Sequence, residues 1–82
     1  MKQVITKDEA RERIAGHVNL LLEEHEMTQS DLSRLSNVSH PRITLLCRAE
    51  LLPNPADLWN IAESLGTTLD GLLEPLPELL KR

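Results

Sequence analysis

Residues 28–48, T-Q-S-D-L-S-R-L-S-N-V-S-H-P-R-I-T-L-L-C-R, constrain this chain more than any other stretch. They read as two short helices on either side of a tight turn. Thr28 stands at the start of the first helix with Asp31 three residues on, the spacing of a capping box. Leu32 and Leu35 give that helix its apolar side. Asn37 follows, a residue whose short polar side chain tolerates the left-handed conformation a sharp turn requires. Val38 is the apolar plug of the turn. Ser39 is placed to cap the second helix, whose buried side is Ile43 and Leu46, three residues apart. An ordinary helical hairpin needs apolar residues at these spacings, but not a tight Asn-Val turn between two capped helices.

The rest of the chain supplies helices to pack around that pair. Thr6-Lys7-Asp8-Glu9 is a second capping box, and it predicts a long helix over residues 7–25. Ala10, Ile14, Val18, Leu21, Leu22 and His25 fall on one stripe of it, at spacings of three and four. Asp8, Glu9 and Glu12 occupy the first turns, where the helix dipole favours acids. Gly16 costs that helix about 1 kcal/mol relative to alanine and leaves room for a close neighbour. Glu23, Glu24 and Glu26 read as a solvated face, and Met27 as the plug of the next joint. Residues 49–53 turn. Asn54-Pro55-Ala56-Asp57 then starts a fourth helix, with an Asn cap, a first-turn proline and a first-turn acid. It runs to Leu65, with Leu58, Ile61, Ala62 and Leu65 inward, and Gly66 stops it. Thr67 or Thr68 caps a short fifth helix over residues 69–73 or 74, and Pro75 ends it. The β-branched Val4 and Ile5 form either a short strand that pairs with a partner or a frayed end. Leu76, Leu79 and Leu80 in the tail either fold back on the first or fifth helix or make a dimer contact.

Composition narrows what such a bundle can do. A chain of 82 residues makes one domain with a modest core, and with no Phe, no Tyr and only Trp59 that core is aliphatic. The lack of aromatics argues against modules that stack single-stranded bases on rings. Cys47 is the one cysteine, so an intramolecular disulfide is impossible and a reducing cytoplasm is the natural setting. There is no run of 18 apolar residues to span a membrane, and the first residues are too polar for a signal peptide. Net charge is −4. Within residues 28–55, however, Arg34, Arg42 and Arg48 face only Asp31 and Glu50, so a weakly basic stretch sits on an acidic body. That balance predicts modest non-specific affinity for a polyanion. His17, His25, His40 and Cys47 match no zinc spacing, and Cys47 reads as a small apolar residue. Ser39 and His40 are adjacent on a helix and point apart, which excludes a nucleophile pair. With no Gly-rich phosphate loop and no catalytic motif, the sequence carries no sign of an enzyme or of a cofactor.

Gln29, Leu32, Ser33, Asn37, Val38, Ser39 and Ile43 together resemble the helix-turn-helix of the Cro/CI repressor family. The usual pattern has Gln, Leu, a small residue, Gly, Val or Ile, Ser and Ile at these offsets, and Asn37 in place of Gly is conservative in backbone terms. Residues 51–73 resemble the last two helices of the same family, so the resemblance covers roughly residues 14–73. It implies an all-α, compact five-helix lambda-repressor-like domain with the helix-turn-helix at the second and third helices. The corresponding organisation is an N-terminal arm (residues 1–6), the DNA-binding domain (7–74) and a leucine-containing tail (75–82). The implied function is sequence-specific binding of double-stranded DNA in transcriptional control, repressor-like and as a homodimer.

In that family the second helix of the motif enters the major groove and its N-terminal residues meet base edges. By position, the resemblance gives Gln29 a phosphate at the start of the first motif helix, where free amides suit an anion. Ser39, His40, Pro41, Arg42, Thr44 and Leu45 fall on or beside the exposed face of the reading helix. Arg42 suits guanine or a phosphate, His40 a base acceptor or a phosphate, and Thr44 a phosphate or a thymine methyl. Leu45 stands where the family often has a polar reader and offers apolar contact alone. Pro41 is tolerated in a first turn. Arg48 suits a phosphate near the helix end. The family often has Arg where Leu22 stands, and basic residues where Glu50, Leu51 and Leu52 stand, so electrostatic support is thin. That departure keeps open a second class of function, a protein-interaction module such as an antitoxin-like partner with weak or lost DNA binding.

Overall fold

The computed structural model describes residues 4–77, and among them it has five helices and no strand. These are α1 (Lys7–Glu24), α2 (Gln29–Ser36), α3 (His40–Cys47), α4 (Pro55–Ser64) and α5 (Leu69–Leu73). The helix starts follow the sequence closely. Thr6 Oγ1 accepts the Glu9 amide at 3.0 Å while the Glu9 carboxylate accepts the Thr6 amide at 2.8 Å, closing the capping box of α1. Thr28 and Asp31 repeat the arrangement on α2, at 3.1 and 3.0 Å. Asn54 Oδ1 takes the Asp57 amide at 2.8 Å on α4. Thr68, rather than Thr67, caps α5 through the Gly71 amide.

Three helices end in the same way. Met27 donates to the Leu22 carbonyl, Glu50 to Leu45 and Thr67 to Ala62, each bond spanning five residues. The residue before each of these donors turns left-handed: Glu26 (φ 54°), Ala49 (φ 61°) and Gly66 (φ 72°). This is the Schellman closure, which satisfies carbonyls that a helix end otherwise leaves unpaired. Only Gly66 was legible as such a stop. The closure imposes the conformation on Glu26 and Ala49 although neither residue type favours it.

α1 packs on α3 and α5, α2 on α3 and α4, and α4 on α5. Their shared core is Ile14, Val18, Leu22, Leu32, Val38, Ile43, Leu46, Leu58, Ile61, Ala62, Leu65 and Leu72, all aliphatic as the composition requires. Leu21 and Met27 pack at its edge. Two expectations fail in detail. Leu35 is 62% exposed, and Ser36 takes the inward place beside Leu32. On a two-turn helix the i+3 and i+4 positions flank the same stripe, and here the i+4 residue is the one turned in. His25 leaves the stripe as well. It sits at the C-cap of α1, where its Nε2 donates to the Leu65 carbonyl at 3.1 Å.

The segment after α5 returns to α1. Arg13 Nη1 donates to the Leu73 carbonyl at 3.1 Å, and His17 Nε2 to the Glu74 carbonyl at 2.9 Å. Leu76 lies against Gly16 so closely that a Cβ there would stand 2.5 Å from its Cδ2. The first tail leucine thus folds back on the first helix. Leu79 and Leu80 lie outside the described residues. Val4 and Ile5 carry no regular structure, and Val4 is almost fully exposed. Among the described residues no helix is long and apolar enough to cross a membrane.

Two substitutions test these assignments by chemical denaturation. Ala49→Gly removes the strain of a left-handed alanine, about 1–2 kcal/mol, against about 0.5–1 kcal/mol of added chain entropy. The expected result is a gain of roughly 0.5–1 kcal/mol with an unchanged denaturant slope. A loss would show that Ala49 is not held left-handed. Ser36→Ala deletes a hydroxyl that serves two buried backbone groups, and is expected to cost about 1–3 kcal/mol. A neutral Ser36→Ala would mean that those groups find other partners.

Candidate nucleic-acid interface

The joint between α2 and α3 is built from backbone strain and two serines. Asn37 adopts φ 61° and ψ 28°, and its amide reaches the Ser33 carbonyl at 3.0 Å. That left-handed residue reverses the chain within one position and drives Val38 into the core, where it is 4% exposed. Val38 then needs partners for its polar backbone. Its amide donates to Ser36 Oγ at 3.3 Å, and its carbonyl accepts from Ser33 Oγ at 2.6 Å. Ser36 Oγ in turn donates to the Leu32 carbonyl at 2.7 Å. Both serines therefore fix the angle at which α3 leaves α2. Sequence reasoning used Ser33 only as a small residue and gave Ser36 no part.

α3 then presents one face inward and another outward. Ile43 and Leu46 are fully buried, which turns Ser39, His40 and Pro41 to solvent and leaves Leu45 at 38% exposure. Ser39 occupies the cap position, but its hydroxyl makes no capping bond. Pro41 explains how the helix starts without one, since it removes one of the amides that a cap would have to serve. At the other end of α3, Asn19 Nδ2 donates to the Cys47 carbonyl at 3.0 Å and ties the helix end to α1. Cys47 is half-buried against the core, and burial pushes its thiol up, so it remains a neutral apolar group there.

Two side-chain contacts reach from α3 to its neighbours. Thr44 Oγ1 donates to Gln29 Oε1 at 2.9 Å, joining two of the sequence-predicted site residues across fifteen positions. With its oxygen occupied, the Gln29 amide keeps its two N–H donors for other partners. Arg42 Nη2 stands 3.2 Å from Asp57 Oδ2, in the first turn of α4. This pairing gave no signal in the sequence, because no local pattern links positions so far apart. The charges of the region are thereby largely matched within the chain. Arg34 pairs with Asp31, whose carboxyl is held below its usual range first by the Thr28 amide and then by the Thr28 hydroxyl. Arg48 is exposed at the C-cap of α3 and has no carboxylate within ion-pair distance among the described residues.

The predicted site residues thus form one surface in two parts. Ser39, His40, Pro41 and Arg42 share the first turn of α3, with the Thr44–Gln29 pair beside it. Arg48 lies at the far end, roughly 12 Å along a helix of this length. His17 and His25, bonded to carbonyls elsewhere, take no part.

The helix-turn-helix family profile matches residues 19–72, from within α1 into α5. No curated protein and no solved structure matches the chain. The profile covers more than half of the chain and includes both helices of the motif, the left-handed turn between them and the helices that support it. The chain belongs to the Cro/CI-type helix-turn-helix family of DNA-binding transcription regulators.

Proposed function

We propose that this chain is a sequence-specific double-stranded DNA-binding regulator, repressor-like in action, that works as a homodimer. The observation that carries the reading is the first turn of α3. It is solvent-facing, held at a fixed angle by the Asn37 turn, and flanked by a Gln29 amide whose two N–H donors have no hydrogen-bond partner among the described residues. In this reading α3 enters the major groove. Ser39, His40 and Arg42 meet base edges or adjacent phosphates, with Arg42 suited to guanine. Pro41 and Leu45 offer apolar contact, and Thr44 acts through Gln29 or on a thymine methyl. Gln29 and Arg48 contact phosphates on either side. Residues 7–74 make the DNA-binding unit, 1–6 an arm and 75–82 a tail. The protein works in the cytoplasm, where DNA and a reduced thiol coincide.

Charge argues for two subunits. With Arg34 and Arg42 already paired to carboxylates, one domain neutralises few phosphates, and most non-specific affinity comes from that term. A dimer doubles the contacts and sets its two reading helices about 34 Å apart, one turn of DNA. A second reading, a partner protein, draws support from Trp59. It is 56% exposed and lines a cleft of about 270 Å³ with Ala62, Thr67 and Leu69, between α4 and α5. None of the residues lining that cleft belongs to α3.

Selection of bound sequences from random duplex DNA tests the main reading, followed by titration of the selected site at several salt concentrations. The expected salt slope is shallow, near −0.9 for each of a few phosphates per subunit. Arg48→Ala is expected to weaken all sequences about equally and to reduce the slope by about 1 per subunit. Light scattering should show two chains on the selected site. If no sequence is enriched, DNA reading by α3 fails and the partner reading leads. A single chain bound at saturation would exclude the homodimer.

A further inference from the structure

We propose that Asp57 is a positioning residue for DNA reading, and that it sets the sequence preference of α3 by holding the Arg42 guanidinium. The inference rests on the reading of Arg42 as a base contact. It adds a residue of α4 that lies outside the helix-turn-helix itself.

The geometry points to an anchor rather than an incidental surface pair. Asp57 is fixed from two sides. Its own amide is bonded to Asn54 Oδ1 at 2.8 Å, and its Oδ2 accepts from Asn54 Nδ2 at 3.4 Å. It also sits in the first turn of α4, where the helix dipole favours a carboxylate. Its side chain is 23% exposed, while that of Arg42 is 41% exposed, so the acid is the sheltered member and the base the one that reaches out. Arg42 Nη2 stands 3.2 Å from the same Oδ2 as an ion pair, without the alignment of a hydrogen bond.

A guanidinium has five N–H donors in one rigid plane. An ion pair at one corner draws the guanidinium toward Asp57 and so narrows the positions from which it can make a bidentate guanine contact. The carboxylate also changes what Arg42 can do. An arginine already matched by an acid gains little from an arbitrary phosphate, since the phosphate must share the charge. It still gains from a guanine edge, which offers two neutral acceptors. Asp57 therefore exchanges non-specific affinity for base preference.

The test compares the wild type with Asp57→Asn, Asp57→Glu, Arg42→Lys, Arg42→Ala and the double variant of Arg42→Ala with Asp57→Asn. Each is titrated on the selected site, on a panel of single-base changes and over a range of salt. Thermal unfolding is followed in parallel. Asp57→Asn keeps the Asn54 cap and the shape of α4. It is expected to steepen the salt slope by about 0.9 per subunit, as Arg42 becomes free for a phosphate. It is also expected to lose most of the preference at one base pair, a change between several-fold and about 100-fold. Asp57→Glu should restore much of that preference. Arg42→Lys keeps a charge without the planar fork, and should lose the preference as Arg42→Ala does. In the Arg42→Ala background, Asp57→Asn should have no further effect on preference, because the two residues act as one unit.

A purely structural role would shift the unfolding midpoint and leave base preference alone, and that result overturns the proposal. So does an Asp57→Asn variant that keeps both preference and slope while Arg42→Ala loses preference. In that case Arg42 reads bases without Asp57, and the reading of the site stands. If Arg42→Ala itself changes nothing, the reading of Arg42 as a base contact fails and Asp57 has nothing to position.

Discussion

Asn37 is the position on which the rest of this molecule depends. One left-handed residue reverses the chain between two helices, a conformation that costs most L-residues about 1–2 kcal/mol and that Asn tolerates. The cost is offset because the turn delivers Val38 to the core and because both polar groups of Val38 find serine hydroxyls. A buried, unsatisfied backbone group would cost about 1–3 kcal/mol, so the serines decide whether this turn is a stable joint. Since α3 buries Ile43 and Leu46 on the far side of the joint, its outer face is set once the turn is set. A reading helix that must meet base edges within about 0.5 Å needs that kind of support from rigid elements.

Polar contacts across the interface aim side chains more than they hold the fold. Exposed ion pairs contribute about 0–1 kcal/mol, so Arg42–Asp57 adds little to stability. The Thr44–Gln29 bond, also near the surface, is of similar modest worth. The Thr44–Gln29 bond nevertheless restricts a long side chain, and Asp57 draws the Arg42 guanidinium to one side. Ordering such a side chain on binding costs about 0.5–1.5 kcal/mol, a cost avoided where the side chain is ordered in advance. In the proposed reading, the acidic net charge and the ordered side chains go together: long-range attraction to DNA is weak, and the face that meets it is set in advance.

What could be read from the sequence was what physics decides over three or four residues. The capping boxes at Thr6 and Thr28 and the Asn54 start each pair a side chain with a backbone group close by in the chain, and the Gly66 stop and the Asn37 turn each rest on one residue's tolerance of the left-handed conformation. The aliphatic core followed from composition and helical spacing. The choice between Leu35 and Ser36 was not legible, because two turns of helix do not define a stripe sharply enough to separate i+3 from i+4. Ala49 and Glu26 were missed for another reason. Their left-handed conformation answers the carbonyls of the helices they end, and nothing in alanine or glutamate announces it. Thr44–Gln29 and Arg42–Asp57 join residues of different helices, so they become visible only once the helices are packed. The contacts that Gln29, Arg42 and Thr44 make within the chain were therefore not legible in the sequence.

The same logic explains why α1 and α5 matter to a surface they do not form. A helix as short as α5 is marginal by itself, since nucleation of a single turn is unfavourable. Here its last carbonyls are taken by donors from α1, Arg13 on Leu73 and His17 on Glu74, and Leu76 fills the space that Gly16 leaves open. Donors with positive or proton-bearing ends also suit the negative end of a helix dipole. α1, so braced, supports α3 through Asn19 at the Cys47 carbonyl and through the apolar face of Ile14, Val18 and Leu22. Side chains of α1 are spent on the backbone carbonyls that end α5 and α3, as Ser33 and Ser36 are on those of the α2–α3 joint. The α2–α3 side keeps Ser39, His40 and Leu45 turned outward, so these residues can be replaced while the packing of Ile43 and Leu46 beneath them stays the same.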